Sequence, residues 1–110
     1  MRKNKPLFYT LHQLKRMAKR GMSKSIVEII VKHGEWREAK EPLSYEIEYK
    51  GLIVILYEQK TQYNVSTCKL NRAKTIEAEN LQKQLGIDFW KCVHRIVKNI
   101  DLTEEFEEIT

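Results

Sequence analysis

Apolar and polar residues follow a helical period near the start of the chain. Between Thr10 and Arg20 the basic residues fall on one side of a helical wheel and the apolar residues on the other, which predicts an amphipathic helix. Thr10 is a suitable N-cap, and Gly21 is a suitable stop after the last turn. The predicted apolar side is made of Leu11, Leu14, Met17 and Ala18. We expect Leu14 and Ala18 to face a sheet.

A second helix is predicted directly after the first. Isoleucine and valine between Ile26 and Ile30 supply its apolar face, and Gly34 ends it. Ser23 and Ser25 are both candidate N-caps, and Ser25 with Glu28 has the spacing of a capping box.

The period changes to two residues after Pro42. Tyr45–Tyr49 alternates between apolar and acidic residues, as a half-buried strand does, and Lys50–Gly51 forms a hairpin turn. Residues 52–58 are apolar on both faces, as in the central strand of a sheet, and residues 63–70 form the next strand. A short leading strand around Trp36–Ala39 is a further expectation. These strands form an antiparallel meander in which Val54 and Leu56 are core residues.

The helical period returns from Thr75, with one short helix closed by Gly86 and another over residues 87–100. The predicted fold is therefore α+β, with two N-terminal helices packed on a three- or four-stranded antiparallel meander and one or two C-terminal helices. Because the central strand is apolar on both sides, we expect the first helix pair to cover one face and the C-terminal helices to cover part of the other.

The length of 110 residues suits one domain, which we divide into residues 8–70, a C-terminal helical addition at 71–100, and an acidic tail at 101–110. The longest apolar run, Leu52–Tyr57, is too short to span a membrane, and the N-terminus does not resemble a signal peptide. Cys68 and Cys92 have no metal or redox spacing, so we expect reduced, buried thiols in a cytoplasmic protein, with a disulfide as the lesser alternative.

Charge is distributed very unevenly along the chain. Residues 1–24 contain eight Lys or Arg and no acid, whereas residues 101–110 contain five acids and no base. The basic block attracts nucleic acid through its phosphates or simply forms a solubilising face. The acidic tail is either a solvated end or a segment that lies over the basic block.

The run His12-x3-Arg16-Met17-x2-Arg20-Gly21-Met22-Ser23 precedes an Ile/Val-rich helix ending in glycine and a short meander. In this it resembles the bacterial domain-of-unknown-function family 4258 and, more distantly, the BrnT-like and RelE-like toxins of the barnase-type ribonuclease group. The resemblance covers about residues 8 to 70 and does not extend to the C-terminal helices. It implies an α+β fold and makes cleavage of RNA a hypothesis to test.

Metal-independent RNA cleavage needs a base, an acid and cations around the phosphate. His12, Arg16 and Arg20 recur every four residues and are the candidate catalytic residues. The candidate nucleic-acid-binding residues are Lys15, Lys19, Ser66 and Thr67, with Tyr49, Tyr57 or Tyr63 as stacking partners for bases. The structural alternatives differ from residue to residue. His12 is alternatively a solvent-facing or locally hydrogen-bonded side chain, and the two arginines are equally suited to ion pairs with Glu46 or Glu48. Ser66 and Thr67 are otherwise ordinary strand residues, and the tyrosines pack in the core or at the sheet edge.

Two functions of different classes follow. The first is a small toxin-like, metal-independent endoribonuclease acting on RNA phosphodiesters. The second is a non-catalytic module that binds RNA, another nucleic acid, or a protein partner such as an antitoxin. His33 and His94 are expected to be structural, no cofactor is implied, and no His, Cys, Asp or Glu spacing predicts a metal site. Whether the protein is an enzyme therefore stays open at this point.

Overall fold

The computed structural model describes residues 5–102 and shows an α+β fold with four helices and one five-stranded sheet. In chain order its elements are β1 (Leu7–Phe8), α1 (Leu11–Lys19), α2 (Lys24–His33), β2 (Glu35–Glu38), β3 (Ser44–Tyr49), β4 (Leu52–Glu58), β5 (Tyr63–Leu70), α3 (Arg72–Leu85) and α4 (Phe89–Lys98). The predicted order of elements is confirmed. The predicted tail lies almost wholly outside the described residues.

The sheet has the order β1-β5-β4-β3-β2. Strands β2 to β5 form the expected antiparallel meander, and β3 and β4 join at Lys50 and Gly51, both of which have positive φ, as a tight hairpin requires. A fifth strand was not predicted. Leu7 and Phe8 pair in parallel with Tyr63 and Asn64, and two residues are too few to show a two-residue period.

Strand β5 contains an irregularity that changes which side chains point inward. Its register with β4 shifts between Ile55 and Leu56, because Leu56 pairs with Val65 and Ile55 pairs with Thr67. Ser66 is therefore the extra residue of a bulge. As a result Val65 and Cys68, three residues apart, are both buried on the same side, whereas Thr67 shares the face of Ile55.

One face of the sheet carries the hydrophobic core. Val54 and Leu56 are fully buried there, as predicted, together with Leu52. The buried apolar residues of all four helices belong to this same core, and Ile53 and Ile55, on the opposite face of β4, do not. The buried apolar residues of the C-terminal helices therefore pack in this core, although we expected these helices to cover part of the second face. Helix α4 packs against α1 and α3 instead, so it extends the first layer sideways.

Helix α1 begins as predicted but is rotated from the expected orientation. The Thr10 hydroxyl accepts a hydrogen bond from the Gln13 backbone N–H, and Gly21 follows the helix with φ of +77°. The buried side chains of α1 are Gln13 and Met17. Ala18 is exposed, so its predicted place against the sheet is wrong, whereas Leu14 packs at the margin of the core.

The other helices are also capped by their own sequence. Ser23, not Ser25, caps α2, and its hydroxyl accepts from the Ile26 N–H. Asn71 caps α3 in the same way, so this helix begins three residues before the predicted Thr75. Asp88 caps α4. Within residues 5–102 there is no helix with the length and apolarity needed to cross a bilayer. Both cysteines are free and buried.

Candidate nucleic-acid interface

His12, Arg16 and Arg20, which we call the basic stripe of α1, have different environments. Each step of four residues turns about 40° around a helix, so a side chain every fourth residue moves steadily around the cylinder. His12 and Arg16 are exposed, as predicted, but Arg20 is half-buried, because two such steps bring it next to the buried side of Met17. The stripe therefore runs from solvent into the junction between α1 and the rest of the domain.

Arg20 is held at this junction by two contacts. Its Nη1 donates a 2.6 Å hydrogen bond to the backbone carbonyl of Cys68 on β5. Its guanidinium carbon lies 4.5 Å from the centre of the Trp90 ring on α4, a cation–π distance. Burial, and secondarily the neighbouring charge of Arg16, lower the pKa of Arg20 from its usual value. Arginine stays charged even so, and Arg20 ties α1, β5 and α4 together.

A concave site opens beside this arginine. Its volume is about 290 Å³, and we call it the β5-edge pocket. Its apolar lining comes from the end of β5 and from α4, and its polar lining consists of three cationic side chains and two threonines. The residues that line it are Arg16, Arg20, Thr67, Lys69, Leu70, Thr75, Phe89, Trp90 and Val93.

The pocket forms because β5 has only a short neighbour on its outer edge. Strand β1 pairs with β5 only at Tyr63 and Asn64, so within residues 5–102 no strand covers the edge from Val65 to Leu70. An open edge exposes backbone hydrogen-bonding groups, and here Arg20 satisfies one of them at Cys68. Helices α1, α3 and α4 surround the remainder of this edge, and the pocket lies between them.

A second concave site, which we call the α4 pocket, adjoins the first. Trp90 lines both pockets. The α4 pocket is lined by Lys19, Ile87, Asp88, Trp90, Lys91, His94 and Arg95. Together the described lining of the two pockets contains six lysines or arginines and one carboxylate, that of Asp88. We call this combined region the basic surface.

The structure brings together some of the predicted site residues and not others. Arg16, Arg20 and Thr67 line the β5-edge pocket, and Lys19 lines the α4 pocket. His12 and Lys15 are exposed on α1 and line neither of these two pockets. Ser66 lies in the bulge of β5 and is also outside both linings.

The acidic residues proposed as alternative partners of the arginines are bound elsewhere. Arg37 on β2 contacts Glu46 at 3.2 Å and Glu48 at 2.9 Å, on the face of the sheet that lies outside the core. The pKa of Glu48 is lowered, first by a hydrogen bond from the Asn71 side chain and then by the bond from Arg37. The hypothesis that Arg16 or Arg20 pairs with Glu46 or Glu48 is thus wrong.

The tyrosines considered as stacking partners have structural positions. Tyr63 is buried in the core, where its ring contacts Trp36 and Tyr45. Tyr57 donates a hydrogen bond to Glu41, and the ring of Tyr49 lies beside that of His33. None of these rings lines either pocket of the basic surface.

Sequence reasoning missed three residues that define the β5-edge pocket: Lys69, Phe89 and Trp90. The sequence carried a partial signal for Lys69, because Thr67 and Lys69 are two residues apart and share a strand face. Trp90 and Phe89 lie at the start of an amphipathic helix, where aromatic residues are usually read as core. Their rings pack edge to face with centroids 5.1 Å apart.

The chemistry of the β5-edge pocket favours binding of an anion that has an apolar part. No described lining residue of this pocket is a histidine or a carboxylic acid, so the lining itself supplies no conventional general base. Within residues 5–102 no group of three His, Cys, Asp or Glu side chains is placed to hold a metal ion.

Comparisons with protein-family models, with curated proteins and with solved structures find no match to this chain. The resemblance to domain-of-unknown-function family 4258 and to the BrnT-like and RelE-like toxins therefore stays a prediction.

Proposed function

We propose that this protein is a non-catalytic RNA-binding module whose basic surface contacts the RNA backbone. The observation that carries this proposal is the meeting of three cations, two threonines and the ring of Trp90 in one pocket between α1, β5 and α4. Lysine and arginine neutralise phosphates, and aromatic rings beside them are typical of surfaces that bind single strands.

The charge distribution of the described residues supports this choice. Arg16 and Lys69 are exposed on the rim of the β5-edge pocket, and neither side chain has a hydrogen-bond or ion-pair partner within residues 5–102. Lys91 and Arg95 continue the positive surface along α4. Cations that are not consumed by internal ion pairs are available to phosphates, and their field also attracts a polyanion from a distance.

The endoribonuclease hypothesis depends on His12. This side chain is exposed one helical turn before Arg16, so it would have to act from beside the β5-edge pocket. Incubating the protein with RNA in the presence of a chelator tests the hypothesis, with His12→Ala as the comparison. Chelator-resistant cleavage that disappears in His12→Ala would replace our proposal with catalysis. If the RNA stays intact and binds in a salt-sensitive way, the result supports a non-catalytic RNA-binding module.

Binding itself is tested by fluorescence anisotropy with a labelled single-stranded RNA at several salt concentrations. Lys69→Glu should weaken binding and reduce the slope of log affinity against log salt, because each lost phosphate contact on a single strand removes about 0.7 from that slope. The matched control is Lys60→Glu. It makes the same change in charge in the turn between β4 and β5, near the opposite end of β5. Equal effects of the two substitutions would contradict a localised site.

Two further expectations accompany this function. The free, buried thiols of Cys68 and Cys92 are compatible with a reducing cytoplasm, which is the location we propose. A protein partner such as an antitoxin stays an alternative occupant of the basic surface. Competition between RNA and such a partner would show that they share the surface.

A further inference from the structure

We infer that the β5-edge pocket accepts one unpaired nucleobase, with the adjoining phosphate on its rim, so that the ligand is single-stranded RNA rather than a duplex. This inference rests on the proposed RNA binding and makes it more specific. It concerns the inner lining of the pocket, whereas the proposed function needs only the charges of the basic surface.

The inner lining is apolar in a way that backbone binding does not require. Leu70 and Val93 are buried, and the rings of Phe89 and Trp90 are half-buried beside them. A phosphate gains nothing from such surfaces, whereas a base buries an apolar face against them. The threonine hydroxyl of Thr67 lies in the same lining and is suited to hydrogen bonds with a base edge or a ribose.

The wall formed by Arg20 and Trp90 is held in place by two contacts. The guanidinium lies 4.5 Å from the ring centre and also donates its hydrogen bond to the Cys68 carbonyl. Bases stack on aromatic rings and on guanidinium planes. A wall that is already ordered costs little further conformational entropy when a base packs against it.

The size of the pocket limits the ligand. A volume of about 290 Å³ lies at the lower end of the range for ligand pockets, roughly 300–1,000 Å³. This suits one base and its sugar better than a larger apolar molecule. Arg16 and Lys69 stand on the rim, where the phosphates on either side of that nucleotide would pass.

A duplex cannot use this pocket without a change in its own structure. Its bases are paired and stacked inside, so one of them would have to be unstacked and turned out before it could enter. Single-stranded RNA presents bases that are already free. The inference therefore predicts quenching of Trp90 fluorescence by single strands, and no such quenching by duplexes that still bind through charge.

The experiment uses the full chain and three ligands: a mixed-sequence RNA eight-mer, its blunt duplex, and an eight-mer of the same length without bases. The protein has two tryptophans. Trp36→Phe leaves Trp90 as the reporter in the pocket, and Trp90→Phe leaves Trp36 on the core side as the control. If Trp36→Phe does not fold, the difference between the wild type and Trp90→Phe gives the same signal.

We expect the eight-mer with bases to quench Trp90 and to bind about tenfold more tightly than the abasic strand, since one stacked base typically contributes that much or more. The Trp90→Phe protein should show no quenching. Equal binding of all three ligands without quenching would overturn the inference and leave the proposed RNA binding intact. Absence of binding to all three would overturn both.

Discussion

Arg20 on α1 donates a hydrogen bond of 2.6 Å to the backbone carbonyl of Cys68, on the part of the β5 edge that no other strand of the described chain covers. The same guanidinium lies against the ring of Trp90. One side chain thus satisfies a backbone carbonyl of the open edge, contacts α4 and forms a wall of the β5-edge pocket. Arg20 therefore contributes both to the stability of this region and to the shape of the β5-edge pocket.

Replacing Arg20 by lysine keeps the charge but removes the planar fork. Hydrogen bonds of charged groups contribute about 1.5–3 kcal/mol and exposed cation–π contacts about 0.5–1 kcal/mol, and lysine retains part of each. We expect Arg20→Lys to lower the free energy of unfolding by about 1–2 kcal/mol in urea denaturation. Arg16→Lys is the control, because Arg16 is exposed, and its effect should stay within about 0.5 kcal/mol. Similar effects of both would contradict the anchoring role.

Leu56 on β4 is fully buried in the core, so its truncation leaves a cavity. Leu56→Ala should reduce the free energy of unfolding by about 2–5 kcal/mol. Ile55→Ala, one residue earlier on the face outside the core, should cost clearly less. A loss below about 1 kcal/mol for Leu56→Ala would show that β4 is not the central strand of a packed sheet.

Gly21, after α1, combines a left-handed backbone with a close neighbour. Its φ is +77°, and a Cβ atom there would lie 2.7 Å from Cδ2 of His94 on α4. Gly21→Ala should therefore destabilise the protein by about 1–3 kcal/mol, through backbone strain and the collision together. In the double variant with His94→Ala the collision with the ring is removed, and the backbone strain and the 3.1 Å approach to the Cα of residue 94 should remain. If the two substitutions are simply additive in thermal and urea unfolding, the contact with His94 contributes nothing.

Cys68 gives the protein a sensitivity to alkaline pH. Burial raises the pKa of this thiol from 9.0 to about 11, despite opposing effects of the Gln13 side chain and of Arg20. Between these values the unfolded chain loses the proton and the folded chain retains it. The unfolded state then binds fewer protons, so stability is complete below about pH 9 and falls as the pH rises towards 11. Cys68→Ala should flatten this part of the stability profile, measured by urea unfolding at each pH. An unchanged slope would mean that other groups cause it.

The acidic segment 101–110 is predicted to mask the face made by Lys15, Arg16, Lys19 and Arg20, the last three of which line the basic surface. Residues 103–110 lie outside the described part of the chain. The segment contains five acids, and it follows α4, which contributes Lys91 and Arg95 to that surface. Deleting residues 101–110 should raise the affinity for RNA at low salt, and the gain should shrink as salt rises, because exposed charge pairs are weak and screened.

A variant of full length separates charge from chain length. In it the four glutamates of the segment are replaced by glutamine, at positions Glu104, Glu105, Glu107 and Glu108. It should reproduce most of the gain in the same anisotropy measurements. If neither variant binds RNA more tightly at low salt, the segment does not mask the basic surface.

All elements of this fold except β1 were predictable, because their signals are local. The Thr10 cap and the Gly21 stop act within one helical turn, and the Lys50–Gly51 hairpin follows from backbone preferences of the residues in it. The burial of Val54 and Leu56 also followed from the sequence, since a short apolar run bounded by turn signals is typical of a central strand.

The orientation of α1 could not be predicted from the sequence, because one of the two residues that this helix buries is polar. Gln13 is buried, and its side-chain nitrogen lies 3.8 Å from the Cys68 sulfur, a contact between residues far apart in sequence. That rotation decides that Arg20 turns towards β5 while Ala18 stays in solvent.

The candidate site is likewise a product of tertiary structure. The sequence places His12, Arg16 and Arg20 in one stripe on α1, but only the two arginines line the β5-edge pocket. Lys69 and Trp90, which also line it, come from elements more than forty residues away in the sequence. The sequence by itself determined the elements and the excess of positive charge near the N-terminus. Only packing decided where that charge meets an aromatic ring, because it left β5 short of a neighbour and set α4 beside the open edge.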